Sequence, residues 1–191
     1  MNEIIFNSFK NSIQCKQKMM EDPSILSKIA SIADILVAAL RNNRRIYFCG
    51  NGGSAADAQH LAAELSGRFY NDRPALPAEA LHCNSSYLTA VANDYSFDVV
   101  YQRLVAGIAH EGDVLIGLST SGNSKNIVLA MEEANKKNLV TIGLTGANGG
   151  QLKNLCTHWI GIPSDDTPRI QESHILVGHI LCQLVEEAYF N

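Results

Sequence analysis

His60 and Glu64 stand four residues apart in a run whose apolar positions Leu61, Ala62, Leu65 and Phe69 keep helical spacing, so the two side chains project from one helix face. An imidazole beside a carboxylate can move protons or ligate a cation, and the same pair is also a common surface contact. Position distinguishes the two readings. The helix leaves the turn Gly50-Asn51-Gly52-Gly53-Ser54, and His60 falls within two turns of it. The glycines permit positive φ and close backbone approach, while Ser54 opens a helix whose first N–H groups lack partners and carry partial positive charge. Phosphate is the natural occupant of such a turn. A second loop of this kind, Ser119-Thr120-Ser121-Gly122-Asn123-Ser124, offers the hydroxyls of Ser119, Thr120, Ser121 and Ser124 without charge, which together with backbone N–H groups suits a sugar phosphate. A single glycine turn would read as a tight strand-to-helix connection; two converging loops favour phosphate binding. Gln171 and His179 are polar residues in an otherwise apolar helical run. A lone histidine there is ordinarily a core residue, and His179 by itself reads so, as does His174.

Nucleotide readings fail on spacing. Gly50-x-Gly52-x-x-Ala55 has the outline of a dinucleotide fingerprint, yet the next strand ends in Cys83 and Asn84 rather than an acid for a ribose. No lysine precedes Ser54, so the loop is not a nucleotide P-loop.

Holding these groups in place requires a strand ahead of each loop and a helix behind it. Strands are expected at 45–50, 79–83, 114–118, 139–144 and 158–162, and helices at 54–70, 97–110, 126–138 and 167–190, the last capped by Thr167 with Pro168 in its first turn. An irregular polar stretch carrying Asn93-Asp94 follows the second strand. Alternation of this kind predicts an α/β three-layer sandwich around a five-stranded parallel sheet of flavodoxin-like order 2-1-3-4-5. Its first and third strands are then neighbours whose connections leave to opposite faces, and ligands bind at that switch point. Both loops follow those two strands. Two further helices, 2–20 and 24–42, precede the first strand and have no crossover duty. At least one of their apolar stripes needs a surface outside the sandwich, which a partner subunit would supply. The expected organisation is one domain over 1–191, with a helical hairpin at 1–43 and an α/β core at 44–191.

With 191 residues, 46% hydrophobic and 18% charged, the chain can bury a full core. A net charge of −4 without a basic run argues against nucleic acid or an anionic membrane as partner. Met1-Asn2-Glu3 lacks a basic leader region, and no apolar run is expected to reach the roughly 20 residues of a membrane span, which places the protein in the cytoplasm. The five cysteines are scattered and include no C-x-x-C pair. They indicate neither a disulfide framework nor a zinc knuckle and are expected as buried thiols.

Taken together, Gly50-Asn51-Gly52-Gly53-Ser54, His60-x-x-x-Glu64, Gly67-Arg68, Asn93-Asp94, the Ser119–Ser124 loop and Arg169-Ile170-Gln171-Glu172 with His179 resemble the phosphoheptose isomerases of the sugar isomerase (SIS) fold. The resemblance covers nearly the whole chain, the N-terminal helices included. The serine loop alone marks the wider sugar-phosphate-binding superfamily; the set His60, Glu64, Gln171 and His179 is far more specific. The resemblance implies conversion of sedoheptulose 7-phosphate to D-glycero-D-manno-heptose 7-phosphate for the heptose of a bacterial surface polysaccharide. It implies Glu64 and His179 as the acid–base pair and a zinc ion held by His60, Glu64, Gln171 and His179. Substrate contacts would come from Asn51, Gly52, Gly53, Ser54, Glu64, Asn93, Asp94, Ser119, Thr120, Ser121, Ser124 and Gln171. It also implies a homotetramer with active sites at subunit interfaces. A zinc-bound carboxylate is a poorer base, so either the metal exchanges or Glu64 alternates between roles.

Gln171 and His179 are about 12 Å apart along a helix axis and about 80° around it. Either the helix start bends or one of the two serves a neighbouring subunit's site. The competing reading is a SIS-fold protein that senses a sugar phosphate or docks a replication factor without turnover. Such proteins keep the serine loop while losing the four-residue set, whose presence here favours an enzyme. The isomerase half of an amidotransferase would bring a glutaminase domain, which this sequence does not contain.

Overall fold

A computed structural model describes residues 1–190. Five apolar runs, β1 (Ile46–Gly50), β2 (Ala78–Ala80), β3 (Val114–Leu118), β4 (Val140–Gly146) and β5 (His158–Ile162), form one sheet in the order β2-β1-β3-β4-β5, every pair parallel. β1 and β3 are buried at every position, as strands covered on both faces must be. Their register pairs Gly50 with Leu118, so both strands end level and the two candidate loops emerge side by side.

The helices are α1 (Asn2–Glu21), α2 (Pro23–Arg41), α3 (Gly53–Ser66), α4 (Ser85–Asp94), α5 (Val100–Ile108), α6 (Lys125–Lys136), α7 (Leu152–Leu155) and α8 (Thr167–Phe190). Because strand side chains alternate between faces, Ile46, Phe48, Ile116 and Leu118 pack against α2, α3 and α8, while Tyr47, Cys49 and Leu115 pack against α4 to α7. The result is the expected three-layer sandwich, with the helices after β1 and β3 on opposite faces.

Several boundaries differ from the sequence reading. α3 ends at Ser66 rather than near residue 70, because the Arg73 guanidinium takes the carbonyls of Glu64 and Leu65 that another turn would have used. β2 stops at Ala80, and the chain turns back with Cys83 N–H donating to the Ala80 carbonyl. The stretch expected to be irregular is largely helix α4, started by Asn84, whose Oδ1 accepts from Tyr87 N–H at 3.0 Å. The helix expected over 97–110 opens as a tighter 3-10 turn at Phe97–Val99 before α5. Thr167 lies inside α8 instead of capping it, and Ile170 N–H donates to the Asp166 carbonyl at 3.0 Å. All five cysteines are free, but only Cys15, Cys49 and Cys182 are buried; Cys83 is exposed and Cys156 half-buried.

α2 corrects another expectation. It is 19 residues with a mean hydropathy of 1.6, long and apolar enough to cross a membrane by length and composition. Here that apolarity serves the core, where Ile25, Ile29, Ile32, Leu36 and Leu40 are buried beneath α8 and beside β5. α1 is different. It buries Cys15 and Met19 and leaves Ile5, Phe6, Phe9 and Ile13 exposed. Of the two N-terminal stripes, the core absorbs one and leaves the other open.

Candidate active site

The glycine turn after β1 and the serine loop after β3 meet at the switch point. Gly50 has no room for a side chain, since a Cβ there would stand 2.6 Å from the Ser54 carbonyl carbon. Gly52 takes φ +54, a backbone shape that disfavours any side chain, and its carbonyl accepts from Ala55 and Ala56 N–H. Behind the turn, the Tyr101 hydroxyl donates to the Gly50 carbonyl at 2.6 Å. In the serine loop the Ser119 and Ser124 hydroxyls bond to each other at 2.9 Å, and Ser121 Oγ accepts from Asn123 N–H at 3.1 Å. Gly122 takes φ +66 and abuts Gly149, so the loop rests on the turn that follows β4. A pocket of about 310 Å³ opens between Thr120, Ser121, that turn and the start of α8.

The two loops are stitched together by a pair the sequence reading missed. Asn51 and Asn126 exchange amide hydrogen bonds at 2.9 and 2.8 Å, and Asn126 Oδ1 also accepts from Ile127 N–H. The available signal was an asparagine in the first turn after the serine loop, the same position relative to a helix start that a cap or anion-loop residue would take.

α3 and α8 lie side by side and bring three predicted residues together. His60 Nε2 is 2.9 Å from His179 Nε2 and 3.2 Å from Glu64 Oε1. Two Nε2 atoms at this distance can share a hydrogen bond only when one of them carries a proton and the other does not, and the Glu64 carboxylate stands beside them. Phe69 stacks on the far side of His179, ring centroids 5.7 Å apart. His60 is exposed while Glu64 and His179 are half-buried, which leaves one side of the cluster open. All three come from one chain.

Gln171 goes elsewhere. α8 is unbroken, and two turns before His179 the Gln171 amide nitrogen donates to both oxygens of Asp57, at 2.7 and 2.8 Å. Its side chain lies over the start of α3, 3.6 Å from where a Gly53 Cβ would be. Of the two alternatives posed by the sequence, the bend is absent, and within one chain Gln171 and His179 meet different turns of α3. Asp57 was not foreseen. Burial pushes its carboxyl above the usual range, opposed by the Gln171 hydrogen bond and by His60 and His179. Because a carboxylate only accepts, Asp57 commits the Gln171 nitrogen and leaves Gln171 Oε1 as the free acceptor. Asn93 and Asp94 end α4, exposed and bonded to each other at 3.0 Å, on a different element from either cluster.

The donors at the α3–α8 cluster suit a metal ion. Two imidazole nitrogens and a carboxylate oxygen lie within 4.8 Å of one another, a nitrogen and oxygen set that zinc accepts with a fourth position left open. A tetrahedral ion with bonds near 2.0 Å would hold the nitrogens about 3.3 Å apart, so the 2.9 Å contact needs only a slight widening of the two rings.

Residues 9–146 match the model of the SIS domain family. The chain is 47% identical over 190 residues to the phosphoheptose isomerase of Clostridium acetobutylicum, covering 100% of this chain and 97% of that one. It is 54% identical over 173 residues to the phosphoheptose isomerase of Nitratiruptor sp., covering 91% of each. Its fold is similar to a solved phosphoheptose isomerase from Francisella tularensis, with a TM-score of 0.92, 37% identity and 97% of each chain covered.

Proposed function

From a chain that belongs to the SIS-domain family of phosphoheptose isomerases, we propose an aldose–ketose isomerase that converts sedoheptulose 7-phosphate to D-glycero-D-manno-heptose 7-phosphate. The observation that carries the reading is the convergence of His60 Nε2, Glu64 Oε1 and His179 Nε2. Moving a carbonyl between C1 and C2 requires a base to remove a carbon-bound proton, a stabiliser for the enediolate, and an acid at oxygen. Glu64 takes the proton from C1 of the ketose and returns it to C2. Without a metal, His179, its Nε2 2.9 Å from that of His60, serves the oxygens: O2 gains a proton as the enediolate forms, and O1 loses one as the aldehyde appears. No atom is gained or lost overall.

The serine loop (Ser119, Thr120, Ser121 and Ser124) and the glycine turn (Asn51, Gly52, Gly53 and Ser54) hold the phosphate, with Gln171 Oε1, Asn93 and Asp94 left for sugar hydroxyls. His60, Glu64 and His179 would hold a zinc ion, which would supply Lewis-acid stabilisation of a substrate oxygen, while Gln171, bonded to Asp57, stands apart from that cluster. Exposed Ile5, Phe6, Phe9 and Ile13 of α1 support assembly of a homotetramer with the sites near subunit interfaces. The protein works in the cytoplasm, and its product feeds heptose for lipopolysaccharide or capsule. The test is incubation of purified protein with sedoheptulose 7-phosphate, with zinc and after chelation, following formation of the aldose. Binding of the sugar phosphate without conversion under either condition would favour a sensor instead.

A further inference from the structure

Glu186 and Arg73 form an ion pair in the protein interior, at 2.8 Å with side chains 1% and 3% exposed. Every polar atom of the pair is used. The Glu186 carboxylate accepts from the backbone N–H groups of Phe69, Tyr70 and Asn71 at 3.2, 2.8 and 2.7 Å, and from Arg73 Nε. The rest of the Arg73 fork donates to the carbonyls of Glu64, Leu65, Gly67 and Pro74 at 2.8, 2.7, 3.2 and 3.1 Å. Buried ion pairs are often no more stabilising than apolar residues of the same volume, so stability alone does not account for the arrangement. Its placement does. Arg73 holds the last turn of α3 by the carbonyl of Glu64 itself. Glu186 lies two turns beyond His179 on the same face of α8. The segment it holds begins with Phe69, whose ring lies against His179 at 5.7 Å.

We propose that the Arg73–Glu186 pair is a positioning device that sets the spacing of Glu64 and His179 by locking the end of α3 to α8. Neither residue touches substrate. The inference rests on Glu64 and His179 being the acid–base pair, and it adds that their separation depends on two residues 113 positions apart in the chain. Glu186→Gln should loosen the lock, because an amide offers one acceptor oxygen where the carboxylate serves four donors, and its NH₂ faces donors.

The test measures kcat, KM and Tm for Glu186→Gln, for Arg73→Lys and for the double variant Arg73→Met/Glu186→Leu, assayed well below each Tm. For Glu186→Gln, kcat should fall about 10-fold or more with KM within about 3-fold of the parent, since the phosphate loops lie elsewhere. The apolar double variant strands the Phe69, Tyr70 and Asn71 N–H groups and the Glu64 and Leu65 carbonyls, so it should lose kcat and Tm together. Arg73→Lys keeps the buried charge but not the fork, and should show a smaller fall in kcat; it carries the test if Glu186→Gln does not fold. A folded Glu186→Gln or Arg73→Lys protein with the parent kcat would overturn the proposal, as would a double variant that keeps the parent kcat. Glu64→Gln is run alongside. Full turnover there would refute the acid–base assignment itself, whereas an inactive Glu64→Gln beside a fully active Glu186→Gln would refute only the positioning role.

Discussion

Gly178→Ala tests whether catalysis depends on the close approach of α3 and α8. Gly178 immediately precedes His179, and a Cβ at that position would stand 2.5 Å from Leu61 Cδ2 and 2.9 Å from Leu61 Cγ, against 3.4 Å or more for ordinary contact. Relief requires a separation of about 1 Å between close-packed surfaces. Leu61 is 1% exposed and follows His60, so it has little freedom of its own. An apolar cavity of about 10 Å³ adjoins it, roughly one water's worth of space, and takes up part of the displacement. Alanine is about 1 kcal/mol better than glycine inside a helix, while overpacking costs about 1–3 kcal/mol, so the variant should fold with a net loss of at most about 2 kcal/mol. The 2.9 Å contact between His60 and His179 does not survive a shift of this kind. A full 1 Å misplacement is worth about 100-fold in rate; with the cavity absorbing some of it, kcat should drop about 10-fold. The assay pairs steady-state kinetics with thermal unfolding. Adding Leu61→Ala removes the clashing carbons and should recover part of the lost kcat despite its own cost in stability. A Gly178→Ala protein with the parent kcat, or a double variant with no recovery, would refute the reasoning.

Replacing Ser119 and Ser121 together by alanine should raise KM far more than it lowers kcat, because a phosphate contact is similar in ground and transition states; an unchanged KM would misplace the phosphate. Glu64→Gln keeps size but cannot accept a proton and should remove most turnover. Because Glu64 and His179 meet within one chain, mixed oligomers of Glu64→Gln and His179→Ala should recover no activity, and recovery would show a site drawn from two chains. Burial holds the His174 imidazole neutral, its pKa lowered to about 4 from 6.5. The unfolded chain therefore binds a proton that the folded one refuses: this contribution is full above pH 6.5 and is lost as pH falls toward 4, in all about 3 kcal/mol. Urea unfolding between pH 4 and 7 should show a shallower slope for His174→Leu, and equal slopes would count against it.

The sheet was readable because β1 and β3 are unbroken apolar runs ending in glycine or serine loops, and two such loops at one switch point dictate the strand order. His60 and Glu64 were readable from helical spacing, and His179 only through the resemblance, since nothing local marks an apolar-helix histidine as reactive. α4 was missed because Asn84 was weighed as the end of a strand rather than as a cap, and Tyr87, Leu88 and Val91 make a thin apolar stripe. Asp57 carries no local pattern in the sequence; only its burial against Gln171 sets it apart. Arg73 and Glu186 are brought together by tertiary structure alone, for which no local pattern exists.

α3 also behaves as a ruler. At 1.5 Å per residue, His60 lies about 10 Å and Glu64 about 16 Å along the axis from Gly53. A sugar phosphate anchored at the start of this helix must therefore reach along it before its carbonyl end meets the carboxylate. Chain length would then be a criterion of selection: a three-carbon phosphate held by its anion would fall short of the reacting groups, and a longer one in a folded-back shape would gain nothing from its length. With the phosphate placed as proposed, the distance between two ends of one rigid element would sort substrates before any hydroxyl is recognised.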